Sequence, residues 1–291
     1  MQSGKLSASK GSVVVTGVSS GIGAAIVRQL AAADYTVFGS VRAADDAASL
    51  KDSLGDRFEP LIFDVRDDEQ VADAAEQVAK SLSASPLCGL VNNVGLAAFG
   101  PLECLDDETF ETTITVNLFG TRTVTNAFLP LLRGKVGLHA GKIINVSSLS
   151  GILNSPMNGA YCIAKHALES LGEVYRRELL PDGIDVVALR SGPVQSEIWN
   201  RNRSDNAATA YKHPPYQRMA HKVQRNMKRA ERDAIPAADI AAAVQEILER
   251  NTNRTAYYFS KGALTSRILA SLPARMADRL IVGALMKPAK R

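Results

Sequence analysis

Short runs of β-branched and apolar residues alternate along most of the chain with longer stretches whose apolar positions recur every three or four residues. Val13 to Thr16 is such a run; it leads into the turn sequence TGVSSGIG, and Ala24 to Ala33 then places Ile26, Val27 and Leu30 at helical spacing. The same alternation predicts strands at Tyr35 to Val41, Glu59 to Val65, Leu87 to Asn92, Lys142 to Val146 and Asp185 to Leu189. Helices are predicted at Ala47 to Leu54, along the stripe Val71, Ala74, Ala75, Val78 and Leu82, around Thr109 to Leu132, and from Tyr161 to Leu179. The strands are continuously apolar rather than alternating, as strands are when helices cover both faces of a parallel sheet. Six or seven of them separated by helices predict an α/β fold, a doubly wound parallel sheet.

No internal repeat is evident and no Pro-, Gly- or Ser-rich linker divides the chain, so one domain is expected over residues 1–291. Residues 11–196 form its core, 197–235 a helical insertion near the C-terminus, and 262–291 a C-terminal extension. The insertion is polar, basic and punctuated by Pro214 and Pro215, and it follows the last clear strand. Doubly wound sheets bind ligands outside the carboxyl ends of their strands, which places the insertion as a substrate cover; the alternative is a solvated excursion. In the extension, Leu264, Ile268, Leu269, Leu272, Met276, Leu280, Ile281 and Leu285 recur at helical spacing around Pro273, flanked by Arg267, Arg275 and Arg279. Such a stripe closes over an apolar substrate, packs on a second subunit, or rests on an anionic membrane. Packing is the favoured reading, because a proline midway breaks a long surface helix and alanine-rich stripes serve cores and interfaces.

The composition, 46% hydrophobic and 22% charged over 291 residues, is that of an ordinary globular protein. Cys88, Cys104 and Cys162 are odd in number and lack CxxC pairing, which argues against a disulfide framework and a structural zinc. His139, His166, His213 and His221 lack metal-ligand spacing, so no metal is expected. The polar opening MQSGKLSASK has no signal-peptide core and no stretch approaches a membrane span, so the expected location is cytoplasmic. Residues 197–233 carry nine Lys/Arg against four Asp/Glu and residues 261–291 seven against one, so the net +4 leaves −7 on the rest. With no nucleic-acid motif and an acidic bulk, a nucleic-acid partner is not expected.

Gly17, Gly21 and Gly23 stand between a buried strand and a helix, where a turn without side chains lets a pyrophosphate approach the helix N-terminus. Their GxxxGxG spacing departs from GxGxxG, and close helix–sheet packing is the plainer use of such glycines. The second strand ends Ser40, Val41, Arg42, with no carboxylate to accept a ribose 2′-hydroxyl. A guanidinium pairs with a 2′-phosphate, and Ser20 adds a hydroxyl donor, so NADP(H) is expected over NAD unless Arg42 is only a solvated strand-end charge.

Tyr161 and Lys165, four apart on one helix, present both side chains to one ligand. An ammonium beside a phenol favours the phenolate and lowers its pKa. Ser147 and Ser148 end the strand GKIINVSS thirteen residues before the tyrosine, where a hydroxyl can hold a substrate oxygen. With TGVSSGIG, Asp64 and Val65, NNVG at 92–95, Asn117 and YCIAK at 161–165 in this order, the chain resembles the short-chain dehydrogenase/reductase family over nearly all of residues 11–196. The resemblance implies a Rossmann fold, Tyr161 as general acid/base, Ser148 polarising the carbonyl, Lys165 lowering the tyrosine pKa and binding the nicotinamide ribose, and Asn117 holding a relay water. Gly17, Ser19, Ser20, Gly21, Ile22 and Gly23 would line the pyrophosphate, Asp64 and Val65 the adenine, and Asn92 with Gly95 would support the cofactor across the central strand. After the sixth strand the family's PG is replaced by Ser191 and Gly192, followed by Pro193, Val194, Gln195 and Ser196, with Gly192, Pro193, Val194 and Ser196 implied at the nicotinamide. VFGSVR and SGPV look most like the hydroxysteroid and retinol dehydrogenase branch, which acts on bulky apolar alcohols and ketones, steroid-, retinoid- or polyketide-like. The expected activity is therefore hydride transfer between NADP(H) and a ketone or secondary alcohol, in a homodimer or homotetramer. The alternatives are a non-catalytic dinucleotide sensor or scaffold, and an NAD-dependent alcohol dehydrogenase of the same fold.

Overall fold

The three valines of strand β1 (Ser12–Val15) are fully buried, yet they belong to different apolar layers: Val13 and Val15 to one, Val14 to the other. Successive strand residues face opposite sides, so a strand covered twice must be apolar throughout. In the computed structural model, which describes residues 9–82, 87–133, 140–195, 211–250 and 254–286, β1 lies inside a seven-stranded sheet, third from one edge. The other strands are β2 (Thr36–Val41), β3 (Phe58–Ile62), β4 (Gly89–Asn92), β5 (Lys142–Ser148), β6 (Asp185–Ser191) and β7 (Ala256–Phe259), in the order β3-β2-β1-β4-β5-β6-β7, so β1 lies between β2 and β4. Every pairing is parallel, with Val13 beside both Val37 and Gly89. The chain winds outward from β1 to β3 on one side and from β4 to β7 on the other, so a crevice opens beyond the carboxyl ends of β1 and β4.

One face is covered by α1 (Gly21–Ala32), α2 (Ala44–Leu54) and α8 (Ala237–Glu249), whose Ile26, Leu30, Leu50, Ile240 and Val244 pack on Val13 and Val15. The other is covered by α3 (Asp68–Ser81), α5 (Gly120–Leu132) and α6 (Gly159–Glu178). There Val71, Val78, Val124, Phe128 and Leu132 enclose Val14. The doubly wound sheet predicted from the apolar runs is thus the observed one, and the structure details it in four places. The single helix predicted around Thr109–Leu132 is α4 (Asp107–Ile114) and α5 joined by a π-helical turn, Thr115–Phe119. β5 runs two residues beyond Val146, through Ser147 and Ser148. A seventh strand, β7, lies at the sheet edge with all four residues half-buried. Pro214 and Pro215 begin helix α7 (Pro214–Arg232) in the insertion, where a first-turn N–H has no helical partner to lose.

Residues 197–210 of the insertion lie outside the described residues. At the C-terminal end, α9 (Ala263–Ser271) and α10 (Ala274–Met286) are separated at Pro273, as its sequence position predicts. Neither helix buries a single residue.

Candidate active site

β1 ends at Val15 and α1 begins at Gly21, so five residues turn the chain at the crevice edge. Gly17 (φ 69°) and Gly21 (φ 58°) adopt left-handed backbone, which glycine enters without a Cβ penalty. At Gly23 a Cβ would stand 2.2 Å from the Gly17 carbonyl oxygen, so that glycine serves helix-to-turn packing. Ser20 is the N-cap of α1 but its side chain makes no capping hydrogen bond, which leaves the first-turn N–H groups as donors for an anion. The turn forms one wall of a cleft of about 380 Å³, lined also by Ser19, Ile22, Arg42, Asp64, Val65, Asn93 and Gly95. The Asp64 carboxylate accepts hydrogen bonds from Arg66 Nε and Nη2 at 3.0 and 2.8 Å. Arg66 holds it below the usual carboxylate range, and Arg42 adds a smaller pull of the same sign. First-turn backbone donors, the Ser20 hydroxyl in the turn, a guanidinium just after β2 and no carboxylate there fit a dinucleotide bearing a 2′-phosphate.

Next to this cleft four polar side chains converge. Asn117 sits in the π-helical turn and is fully buried; its Nδ2 donates to the carbonyls of Leu96 and Thr113 at 2.9 and 2.8 Å. Its Oδ1 is buried without a partner, an acceptor held in place for a water or ligand donor. Lys165, on α6, is buried and donates from Nζ to the Val146 carbonyl at 3.0 Å. Burial pushes its pKa down to about 8, with Glu169 pulling the other way. Its Nζ lies 5.7 Å from the centre of the Tyr161 ring. Tyr161 is pushed up to about 12, chiefly by burial, while a hydrogen bond with Ser148 opposes the rise. Burial, not the Lys165 ammonium, sets the direction of the Tyr161 shift. Gly95 joins cleft and quartet, since a Cβ there would lie 2.8 Å from Asn117 Oδ1 and 3.5 Å from Lys165 Nζ.

Several predicted residues lie elsewhere. Asn92 is not in the cleft: it is buried in the sheet layer, where its Nδ2 donates to Thr125 Oγ1 at 3.0 Å and Asn145 Oδ1 at 2.9 Å. Strand alternation turns it inward, and it ties β4 to β5 and α5. The side chain that reaches the glycine turn is its neighbour Asn93, whose Nδ2 donates to the carbonyls of Thr16 and Gly17, both at 2.9 Å. The turn after β6 does not line the 380 Å³ cleft and is tied to β7 and to the segment that follows α7. Gly192 N donates to Phe259 O at 2.8 Å, Ile235 N to Pro193 O at 3.1 Å, and Val194 is buried. Ser196 and His139 lie outside the described residues. His166 Nδ1 lies 2.9 Å from the Cys162 carbonyl one turn earlier on α6, and burial pushes the Cys162 thiol up. Among the described residues no group of three or more His, Cys, Asp or Glu is placed to hold a metal.

A parallel doubly wound sheet with a glycine-turn cleft beyond the carboxyl ends of its strands is the frame of a dinucleotide-dependent oxidoreductase. Residues 11–207 match the short chain dehydrogenase family, and the chain belongs to that family of oxidoreductases. It is 33% identical over 276 residues to the NADPH-dependent 3-dehydrocapnine reductase of Ornithobacterium rhinotracheale, covering 94% of this chain and 97% of that one. It is 35% identical over 192 residues to retinol dehydrogenase 16 of Homo sapiens, a match spanning 66% of this chain and 59% of the relative. A short chain dehydrogenase of Burkholderia cenocepacia J2315 solved with NADP superposes with a TM-score of 0.71 at 25% identity, covering 96% of this chain and 99% of that one.

Proposed function

We propose that the protein is an NADPH-dependent reductase of ketones bearing a bulky apolar group, with Tyr161 giving the proton and Ser148 holding the carbonyl oxygen. The observation that carries this reading is the convergence of Ser148, Tyr161, Lys165 and Asn117 beside Gly95, the point where the dinucleotide cleft meets them. Bound NADPH supplies the hydride that the carbonyl carbon accepts. Two hydroxyls from different elements, β5 and α6, can then meet one oxygen. Burial keeps Tyr161 protonated at neutral pH, which suits a donor to an oxygen that gains charge as the carbon is reduced. The phenolate left behind lies near Lys165, whose ammonium stabilises it, and Asn117 Oδ1 accepts from a water that returns the proton. Arg42 and Ser20 would take the 2′-phosphate, the first turn of α1 the pyrophosphate, and Asp64 with Val65 the adenine.

Apolar bulk in the substrate is supported by what covers the loop between Ser148 and Tyr161. Met157 in that loop packs on Ala220 of α7, with Tyr211, Met219 and Val223 around them. The loop is tied down by Gly100 N donating to Met157 O at 2.9 Å. The names of the two relatives, a 3-dehydrocapnine reductase and a retinol dehydrogenase, support the same class, and the first supports the reductive direction. The test is NADPH consumption over a ketone series of increasing apolar bulk. Turnover is expected to rise along the series; tight NADPH binding with no ketone reduced would overturn the reading in favour of a dinucleotide sensor.

A further inference from the structure

In α9 and α10, Leu264, Ile268, Met276, Leu280 and Val282 leave 67, 53, 50, 53 and 39% of their surface in solvent. Leu264 with Ile268, and Met276 with Leu280, are four apart, so each pair forms a row along one helix face. A helix with an apolar row and no buried residue has yet to meet the surface that covers it. Charge narrows the choice of that surface. Residues 261–291 hold seven Lys/Arg against one acid, Asp278, which lies 3.9 Å from Arg275. α10 packs against α7, which adds Arg218, Lys222, Arg225, Lys228, Arg229 and Arg232 against Glu231 alone. A second copy meeting this face through a two-fold axis would set the same cations against themselves. An anionic lipid surface offers both an apolar layer and the opposite charge.

We propose that α9 and α10 dock the enzyme peripherally on an anionic bilayer, the apolar rows entering the headgroup boundary and Arg275 and Arg279 meeting lipid phosphates. No described helix is long and apolar enough to cross a membrane, so the pair lies on the surface. α9 is fixed to the sheet edge by Arg267, whose guanidinium sits 5.0 Å from the centre of the Tyr258 ring on β7. α7 touches both α10 and the Met157 loop, so the docked face is one helix away from the substrate cover. That delivery of an apolar ketone from the bilayer rests on the proposed function; the docking itself does not.

The full-length chain is floated with vesicles of phosphatidylcholine alone and of phosphatidylcholine with phosphatidylglycerol. Binding is expected to the anionic vesicles, to weaken with salt, and to fall more than about tenfold in R275Q/R279Q, at about fivefold per cation removed. L264S/I268S is expected to lose binding comparably, and both variants to keep the parent's thermal midpoint and vesicle-free turnover. Equal partition into both vesicle types, no binding to either, or a wild-type dimer that L264S/I268S dissociates would overturn the docking. Flotation needs no turnover, so a protein that reduces no ketone yet floats sinks only the reductase reading. One that reduces ketones and binds no vesicle sinks only the docking.

Discussion

Helices α5 and α10 each have thirteen residues and a clear apolar stripe, and they meet opposite fates. α5 buries Gly120, Thr121, Val124, Thr125, Phe128 and Leu132 against the sheet, whereas α10 buries nothing. The difference lies in the neighbours. α5 is a crossover between two parallel strands and returns across a sheet face that must be covered. α10 follows β7, and among the described residues no strand comes after it. An apolar period therefore reports that a helix has a face to cover, and topology decides whether the chain covers it. The two proposals divide the same way: the catalytic quartet we propose relies on groups that are desolvated and fixed, and the docking we propose relies on groups that are not.

The largest effect belongs to the desolvated side. Tyr161→Phe removes the transferable proton and little volume, so turnover is expected to fall by about 10²–10⁴-fold with NADPH affinity nearly unchanged. Steady-state rates and a binding titration check this, and a variant keeping more than about a tenth of the activity breaks the assignment. Phe128→Ala, in the buried stripe of α5, is expected to cost about 3–5 kcal/mol of stability in denaturant unfolding, because the cavity lies where the sheet cannot collapse.

At the rim of the cleft the effects are intermediate. Arg42→Asp exchanges a phosphate partner for a repelling carboxylate and is expected to reverse the preference for NADPH over NADH. Dissociation constants for both dinucleotides in both proteins decide it, and equal affinities in the parent would leave Arg42 a surface charge. The pH profile follows from the same burial. Raising pH through about 8 takes the proton from Lys165 while Tyr161, at about 12, keeps its own, so ketone reduction is expected to decline above pH 8 with no second loss near 10. Lys165 is depressed from 10.5, so between about 8 and 10.5 the unfolded chain binds more protons than the folded one. Its contribution to stability rises with pH across that window, and Lys165→Met is expected to flatten the rise in thermal midpoints.

Much of this was legible in the chain. The spacing of Tyr161 and Lys165, the glycines after Val15 and the serines ending GKIINVSS each follow from a local rule of helix, turn or strand. What was not legible depends on neighbours far along the chain. Asn92 and Asn93 are adjacent and identical, and only the end of β4 decides which faces the layer and which the turn. The π-helical turn carrying Asn117 has no mark that separates it from an ordinary helix. AYYF is too short a run to stand out as β7 without β6 beside it. The rise of the Tyr161 pKa comes from burial, which no spacing of Tyr and Lys reveals.

The smallest expected effect is the sharpest check on the contrast between the two helical regions. Ile268 carries an aliphatic side chain, but it is 53% exposed where Phe128 is fully buried, and no core cluster includes it. Truncation to alanine then forfeits little transfer free energy and leaves no cavity, while alanine is the better helix former by a few tenths of a kcal/mol. The two small terms oppose one another, so Ile268→Ala is expected to change unfolding stability by no more than about 0.5 kcal/mol. Denaturant unfolding of the parent and both variants, at a concentration low enough to exclude association, makes the comparison on one scale. A cost near that of Phe128→Ala would mean that α9 is packed in solution and that its apolar row already has its cover. Retained stability, together with lost flotation in L264S/I268S, would place the row's contribution in binding instead of in the fold.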